Sequence, residues 1–464
     1  GIKGLSKNVI KQVWRDGRLQ DLHNTRLAVD AAGWVVKAVR SNAQDICLEK
    51  TGSTAHHADF TRRLQNMLHM LPDSSSLVLV LDGDRWPLKK ATHTRRLNAR
   101  ASALEKACEA MAANDFITAE KYYKQAVGVP PDFIAWIIHQ CKGMARVTVV
   151  VAPFEADAQC AQLQVACQLA RQHNATRHRA PQHRGSTQYT HVSKSHPSLP
   201  SWCVRMQKSG QVDIVVSAAE DSDFLVYGMR RVIYNLKQDG TFHEVAVFDD
   251  VLGRAIGRFN FTDWSFTQFR MWSCACGCDY VDNIPYIGAA KVYELIKSNL
   301  SLTERELCSA IACIAPDPQA YFDLLWAANL SFQHHIVFDF HEVNEADTML
   351  KEGVVSLCYL SPLHPDQQFT PLPTLSGGEC AGVYFGRLDP KTRQPRMVIV
   401  DQDDANAPAL EADFSNGQSP AQYSIQRLKA FLVNRGIPVP ANLCKRSAIV
   451  FLSVQKHWKS VARE

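Results

Sequence analysis

Fourteen cysteines occur among the 464 residues, yet none falls in a C-x-x-C pair. Without that spacing, and with no secretory segment, the composition reads as a reduced intracellular protein rather than a disulfide framework. Cys274, Cys276 and Cys278 likewise lack zinc-site spacing and read as structural thiols. No apolar run approaches the roughly 18 residues that suggest a membrane span. Leu5 stands where a myristoylation signal needs Ser or Thr, so no lipid anchor is expected either. Charge of one sign is also scarce, since 51 Lys and Arg against 46 Asp and Glu leave only +5. So small a charge permits a nucleic-acid partner without demanding one, because a local basic patch matters more than the sum. What remains is a globular composition, 46% hydrophobic and 21% charged, in a chain long enough for one large domain and an appendage.

What the chain does have is acid at the ends of apolar runs. The run from Val147 stops at Pro153 and delivers Glu155 and Asp157, and it is expected to be the central strand of an α/β sheet. In an open sheet of that kind the ligand site lies beyond the carboxyl ends of the strands. The helix dipole favours acids in a first helical turn, which would explain one isolated pair without any function. The pattern repeats, however. Arg26 to Val29 runs into Asp30, Leu77 to Leu81 into Asp82, Ile214 to Val216 into Asp221 and Asp223, and the helix-like run Phe266 to Cys278 into Asp279. Seven carboxylates converging on one edge would repel one another unless cations neutralise them. Hard oxygen donors without a matching His or Cys set favour Mg²⁺ or Mn²⁺, and two such ions about 3.5–4 Å apart serve in-line phosphodiester displacement.

Basic residues cluster just after Asp82: Arg85, Lys89, Lys90, Arg95, Arg96 and Arg100, with His93 among them. A helical charge run is ordinarily a solvated face. Lys89 and Arg96 are seven apart and would share one helical face, where two cations could hold a scissile phosphate and stabilise developing charge. Helices are expected at Asp59–Leu71, Ala101–Met111, Ile117–Ala126 and Asp132–Gly143, together with an amphipathic one through Trp34 and Val39.

The strings L-D-G-D-R-W-P-L-K-K, A-P-F-E-A-D-A-Q, A-E-D-S-D-F-L-V-Y-G and G-C-D-Y-V-D-N-I-P-Y-I-G resemble, in order, motif blocks of the flap-endonuclease family, the XPG/Rad2-type structure-specific 5′ nucleases. The resemblance covers Gly1 to about Gly382 and is greatest to the exonuclease 1 branch. It implies an α/β fold, a central mostly parallel sheet flanked by helices (a PIN-like 5′ nuclease fold), with a helical arch and a helix-two-turn-helix element. It implies a Mg-dependent 5′ to 3′ exonuclease with 5′-flap endonuclease activity, working by two-metal-ion catalysis in DNA repair or recombination. Asp30, Asp82, Glu155, Asp157, Asp221, Asp223 and Asp279 fall on the family's metal-site carboxylates, with two Mg²⁺ or Mn²⁺ ions implied. Lys89 and Arg96 fall on the basic pair of the arch, and Gly1 on a terminal glycine near the active site. Lys90, Arg95, Arg100, Gly288 and Lys291 are the implied DNA contacts. A turn around Cys276, Asn283 and Ile287 is implied to hold K⁺ through backbone groups. The implied partners are double-stranded DNA with 5′ ends, nicks or flaps, and mismatch-repair proteins. The implied protein is a nuclear monomer with no membrane association.

The chain departs from the family's pattern in places. Ala32 stands for an aromatic residue that stacks on a base, Val36 for a nearby His, and Tyr286 for the first glycine of a G-I-G turn. Between Ala170 and Trp202 an insertion rich in His, Arg, Ser, Gln and Pro reads as a disordered basic surface loop, not a metal site built on His173, His178 and His183. Residues 383–424 read as a linker, and 425–464 as a small helical segment that resembles a SAP-type DNA-binding motif. A flap or junction endonuclease of the same family, a metal-dependent ribonuclease and a catalytically silent DNA-binding scaffold are the alternatives; the intact acid set argues against the last.

Overall fold

The computed structural model describes residues 1–50, 53–141, 144–164, 212–217, 221–341, 354–361 and 369–395. The His-rich insertion and the expected C-terminal helical segment lie outside these residues. Seven strands form the main sheet: β1 (Arg15–Arg18), β2 (Arg26–Asp30), β3 (Ser76–Leu81), β4 (Val147–Val151), β5 (Ile214–Val216), β6 (Val232–Tyr234) and β7 (Thr241–Val245). Their spatial order is β1-β7-β6-β5-β2-β3-β4. The pairs β2 with β3, β3 with β4, β2 with β5 and β5 with β6 are parallel, while β7 joins β6 and β1 antiparallel. The α/β class with a mostly parallel sheet is therefore as expected.

The order also locates the crevice. From β2 the chain steps outward to β3 and β4, then returns to the other side of β2 for β5 and β6. Reversal of strand order between β2 and β5 makes a topological switch point, where loops leave the strand ends in opposite directions and a cleft opens. The expectation for the Val147 run needs correction: β4 is an edge strand, not the central one. Thr148 is exposed and only Val150 and Val151 are fully buried, whereas β2, β3 and β5 are buried almost throughout. Full burial on both faces is what selects their continuous Val, Leu and Ile runs.

The basic run and the helix expected after it are a single helix, Lys90–Ala112, which no glycine or proline interrupts. It buries only Thr92, Ala103, Ala107 and Ala110, packs against Phe116–Ala126 and leaves its charged faces in solvent. Asn114, in the left-handed region at φ 58°, turns the chain between the two helices, and the Asp115 side chain caps the second. At the other end Phe266–Ala275 stops short of Cys278, because Gly277 reverses the chain at φ 100°. A turn then leads to Ala289–Lys297, capped by Gly288. Tyr286 holds φ 62° in that turn with 97% of its surface exposed. Cys274, Cys276 and Cys278 are buried beneath it without disulfides. A hairpin of Ile336–His341 with Val354–Tyr359 follows helix Pro318–Gln333, and helix Gly377–Tyr384 packs on it, so packing continues across position 382.

Candidate active site

The acids are positioned by the loops at the carboxyl ends of four neighbouring strands. Asp30 ends β2, and its Oδ1 accepts from the Ala32 amide at 2.9 Å as helix Ala32–Arg40 begins. Asp82 follows β3 and accepts from the Ala156 amide at 2.9 Å, which ties the β3 loop to the β4 loop. Gly83 makes that approach possible. A Cβ there would lie 2.0 Å from the Ala152 carbonyl oxygen, and its amide donates to Phe154 O at 2.6 Å. Any larger residue would push Asp82 away from Glu155. Asp157 occupies the first turn of the helix over 156–164. Asp221 is held by its own amide on Ser217 Oγ at 2.8 Å, and its Oδ1 accepts from the Asp223 amide at 3.1 Å.

Asp157, Asp221 and Asp223 each place a carboxylate oxygen within 4.8 Å of the others. Asp223 Oδ1 is buried with no hydrogen-bond partner. A bare buried carboxylate oxygen is costly unless a cation or proton meets it. An all-oxygen donor set with one unsatisfied member fits a hard divalent ion.

Burial, then the charge of Asp82, pushes the Asp30 carboxyl up to about 7; burial, then Asp221, does the same for Asp223, to about 7. Asp157 is pushed well up by burial and by Asp30 and Asp221, and Asp82 is raised chiefly by burial. Glu155 and Asp279 behave in the opposite way. Burial acts to raise both, but Lys89 heads the opposing effects and both end below the usual carboxylate range. The Lys89 ammonium lies 2.8 Å from Glu155 Oε1 and 3.2 Å from Asp279 Oδ2, and Arg96 reaches the same Asp279 oxygen at 3.0 Å.

Lys89 and Arg96 therefore converge on one carboxylate, though not as one helical face. Lys89 is buried in a tight turn, Pro87–Lys89, before the long helix, while Arg96 lies on that helix with 55% of its side chain exposed. Thr92 Oγ1 donates to the Asp279 carbonyl at 2.9 Å and pins the helix to the acid's own backbone. The Gly1 amino group lies 3.5 Å from Asp221, 3.6 Å from Asp223 and 3.8 Å from Asp279. Burial would depress this amine, but Asp223, Asp221 and Asp279 raise it to about 10. The Ile2 amide, donating to Ser222 Oγ at 2.7 Å, fixes the segment there.

The remaining expected site residues lie off the acid cluster. Lys90 is exposed, Arg95 sits 3.8 Å from Asp282, and Arg100 is half-buried on the long helix. Lys291 is exposed beyond Gly288, with its ammonium 3.4 Å from the Tyr286 carbonyl. In the nearby turn the Asn283 amide donates to the Ile284 and Ile287 carbonyls, and Lys3 Nζ donates to Asn283 Oδ1 at 2.9 Å. Cys276 is buried at the end of the preceding helix. Ala32 and Val36 sit one turn apart, half-buried, on Ala32–Arg40.

Sequence reasoning missed three side chains that touch Glu155. Tyr280 donates to Glu155 Oε2 at 2.7 Å, Tyr227 lies 3.4 Å from the same oxygen, and buried His335 lies 3.8 Å from it. Burial drives the His335 imidazole down to about 4, so it is neutral at pH 7. Tyr280 follows Asp279 and Tyr227 lies one helical turn beyond Asp223, a signal that was available; His335 had none.

Comparison with known proteins agrees with this arrangement. Residues 1–103 match the XPG N-terminal domain and residues 201–279 the XPG I-region. Exonuclease 1 of Arabidopsis thaliana is 24% identical over 396 residues, covering 85% of this chain and 45% of that protein. Exonuclease 1 of Drosophila melanogaster is 27% identical over 357 residues, covering 76% of this chain and 40% of that protein. The chain thus spans less than half the length of these relatives. The catalytic core of Rad2 in complex with DNA substrate is a more distant likeness, at 18% identity and TM-score 0.42 over 67% of this chain and 72% of that one. The first match contains Asp30, Asp82, Lys89 and Arg96 and the second contains Asp221, Asp223 and Asp279, so the chain carries an XPG N-terminal domain and an XPG I-region with the acid loop of β4 set between them.

Proposed function

We propose that the chain is a divalent-metal-dependent DNA nuclease, a 5′ to 3′ exonuclease that also releases 5′ flaps. The observation that carries this reading is the triad Asp157, Asp221 and Asp223 with its bare buried oxygen, facing Lys89 and Arg96 across one cleft. Two Mg²⁺ or Mn²⁺ ions held by the seven acids would supply a nucleophile at neutral pH and neutralise the leaving oxygen. The chain's own residues do the rest. Asp30, Asp82, Asp157, Asp221 and Asp223 carry a surplus of negative charge that only cations relieve. Lys89, delivered by a rigid turn, and Arg96, delivered by the long helix, offer N–H donors to a phosphate that displaces them from Asp279. Gly1 adds a third cationic group between the triad and Asp279.

Lys90, Arg95 and Arg100 on the long helix, and Lys291 beyond the Gly288 cap, supply cations for duplex phosphates on either side of the cleft. K⁺ held near Cys276, Asn283 and Ile287 would support that second contact. The reading extends to a nuclear monomer that serves DNA repair alongside mismatch-repair proteins.

Digestion of 5′- and 3′-labelled blunt, nicked and flapped duplexes with Mg²⁺ tests it. Mononucleotides released from 5′ ends, together with cut flaps, are the expected products. Absence of Mg²⁺-dependent cleavage, or 3′ polarity, overturns the reading. The exposed cationic face of the long helix beside the cleft favours a second reading, a flap or junction endonuclease, which intact released flaps without mononucleotides would identify.

A further inference from the structure

We propose that Tyr227 is a positioning residue of this site, acting on Glu155 through Tyr280. The proposal rests on the hydrolytic reading of the cleft. Tyr280 donates to Glu155 Oε2 at 2.7 Å, and its oxygen lies 3.0 Å from that of Tyr227. A phenol has one proton to give. The Tyr227 hydroxyl also lies 3.4 Å from Glu155 Oε2, but with the Tyr280 proton committed to the carboxylate the shorter contact between the hydroxyls takes the Tyr227 proton, and the direction of the chain is Tyr227 to Tyr280 to Glu155. Each bond in such a chain polarises the next, so Tyr227 strengthens the bond it does not itself make.

The second carboxylate oxygen, Glu155 Oε1, receives Lys89 at 2.8 Å, and the Lys89 ammonium lies 5.2 Å from the centre of the Tyr280 ring. The position of Tyr280 therefore sets both Glu155 and the cation intended for phosphate. Packing holds the two tyrosines rigid, since Phe332 meets Tyr227 and Tyr280 edge-on at 4.9 and 5.1 Å. His335 does not substitute for them. Its Nδ1 lies 3.1 Å from the Ile336 carbonyl, which places the proton of the neutral ring there and leaves Nε2, the atom facing Glu155, without one. The ring is also clamped in a stack on Trp86 at 4.1 Å.

Tyr227→Phe, Tyr280→Phe and the double variant test this by single-turnover cleavage, with DNA affinity measured in EDTA and the thermal midpoint as controls. Tyr280→Phe is expected to lower the cleavage rate roughly 10-fold or more, and Tyr227→Phe about 3- to 10-fold, as for hydrogen bonds to a charged and to a neutral group. KM and DNA affinity should stay within about 2-fold, because both hydroxyls are turned toward Glu155 and each other. In the Tyr280→Phe background the Tyr227 substitution should cost less than it does in the wild type, since only the long contact to Glu155 at 3.4 Å is left to that hydroxyl. Independent, multiplicative losses, a change in KM alone, or a wild-type rate for Tyr227→Phe would each overturn the proposal. Should the unmodified chain cleave no DNA with Mg²⁺, the hydrolytic reading itself falls; should it cleave while Tyr227→Phe is indistinguishable from it, only this proposal does.

Discussion

The cleft holds two groups of carboxylates that differ in what balances them. Glu155 and Asp279 are tied to Lys89, with Arg96 as a second partner for Asp279, and both titrate below the ordinary range. Asp30 and Asp82 each have one backbone amide, Asp223 has the Gly1 amine, Asp157 has its acidic neighbours, and all four are pushed upward. Burial alone does not explain the contrast, because Glu155 is less exposed than Asp82 and yet is the one that is lowered. The deciding quantity is the distance to a cation. One group is already paired with cations by the fold and the other is not; on the proposed reading the unpaired acids form a metal side and the paired ones a phosphate side, whose acids are released to the ions when phosphate takes Lys89 and Arg96.

The comparison breaks most sharply on the metal side. Asp157→Asn and Asp223→Asn should each lower Mg²⁺-dependent cleavage by about 10³-fold or more, since on the proposed reading each would remove a ligand of the ion that supplies the nucleophile. The same substitutions should raise the thermal midpoint of the protein in EDTA by about 2–4 °C, because they relieve repulsion. Lys89→Met should lower cleavage by about 10²- to 10³-fold. Unlike the acid variants it should destabilise the protein, by about 3 kcal/mol, because it leaves two buried carboxylates unpaired. Opposite signs of the midpoint shift for the two sides, read by calorimetry, would establish the division; equal signs would erase it.

The pH dependence of stability sharpens the same contrast. Asp30 and Asp223, raised to about 7, contribute stability that is fully present below the ordinary carboxylate range and is lost as pH rises to 7. Glu155 and Asp279, being lowered, contribute stability that is present above the ordinary range and lost only as pH falls below it. Between pH 5 and 8 Glu155 and Asp279 do not change, while half-buried His57 and buried His335, lowered to about 4, oppose the raised acids. The acids' share is therefore read by difference: relative to an Asp30→Asn, Asp223→Asn variant, the wild-type midpoint in EDTA should fall by roughly 3–5 °C across that window. Saturating Mg²⁺ should flatten or reverse the slope, since an ion bound to the ionised acids stabilises the folded state by mass action. Arg96→Ala should have the smallest effect, about 10-fold on cleavage and under about 1 kcal/mol on stability, because its ion pair with Asp279 is half-exposed.

Much of this site was legible along the chain. Runs of Val, Leu and Ile that end in Asp announce buried strands with acids at their carboxyl ends, and Asp30, Asp82, Asp157 and Asp221 lie where that pattern puts them. The Val147 run was misleading because an edge strand with one well-covered end and a central strand present the same apolar letters, and only the exposed Thr148 hinted otherwise. The split between Lys89 and Arg96 was likewise hidden. Pro87 starts a tight turn before the helix begins, so a seven-residue spacing did not mean a shared helical face. Tyr227 looked like one more apolar residue of F-L-V-Y, since nothing local reveals that its hydroxyl meets Tyr280, 53 positions away.

By itself the amino-acid order determined which side chains stand at the ends of strands, and with them the amount of negative charge delivered to one edge of a sheet. Only the tertiary structure decided how that charge is shared, with three acids close enough for one ion and two others bound to a lysine. Periodicity is a property of a few neighbouring residues, whereas electrostatic interaction depends on separations between segments that are remote along the chain, as Lys89 is from Glu155 and Asp279. Those separations follow from the order in which the strands lie side by side, which no local pattern carries.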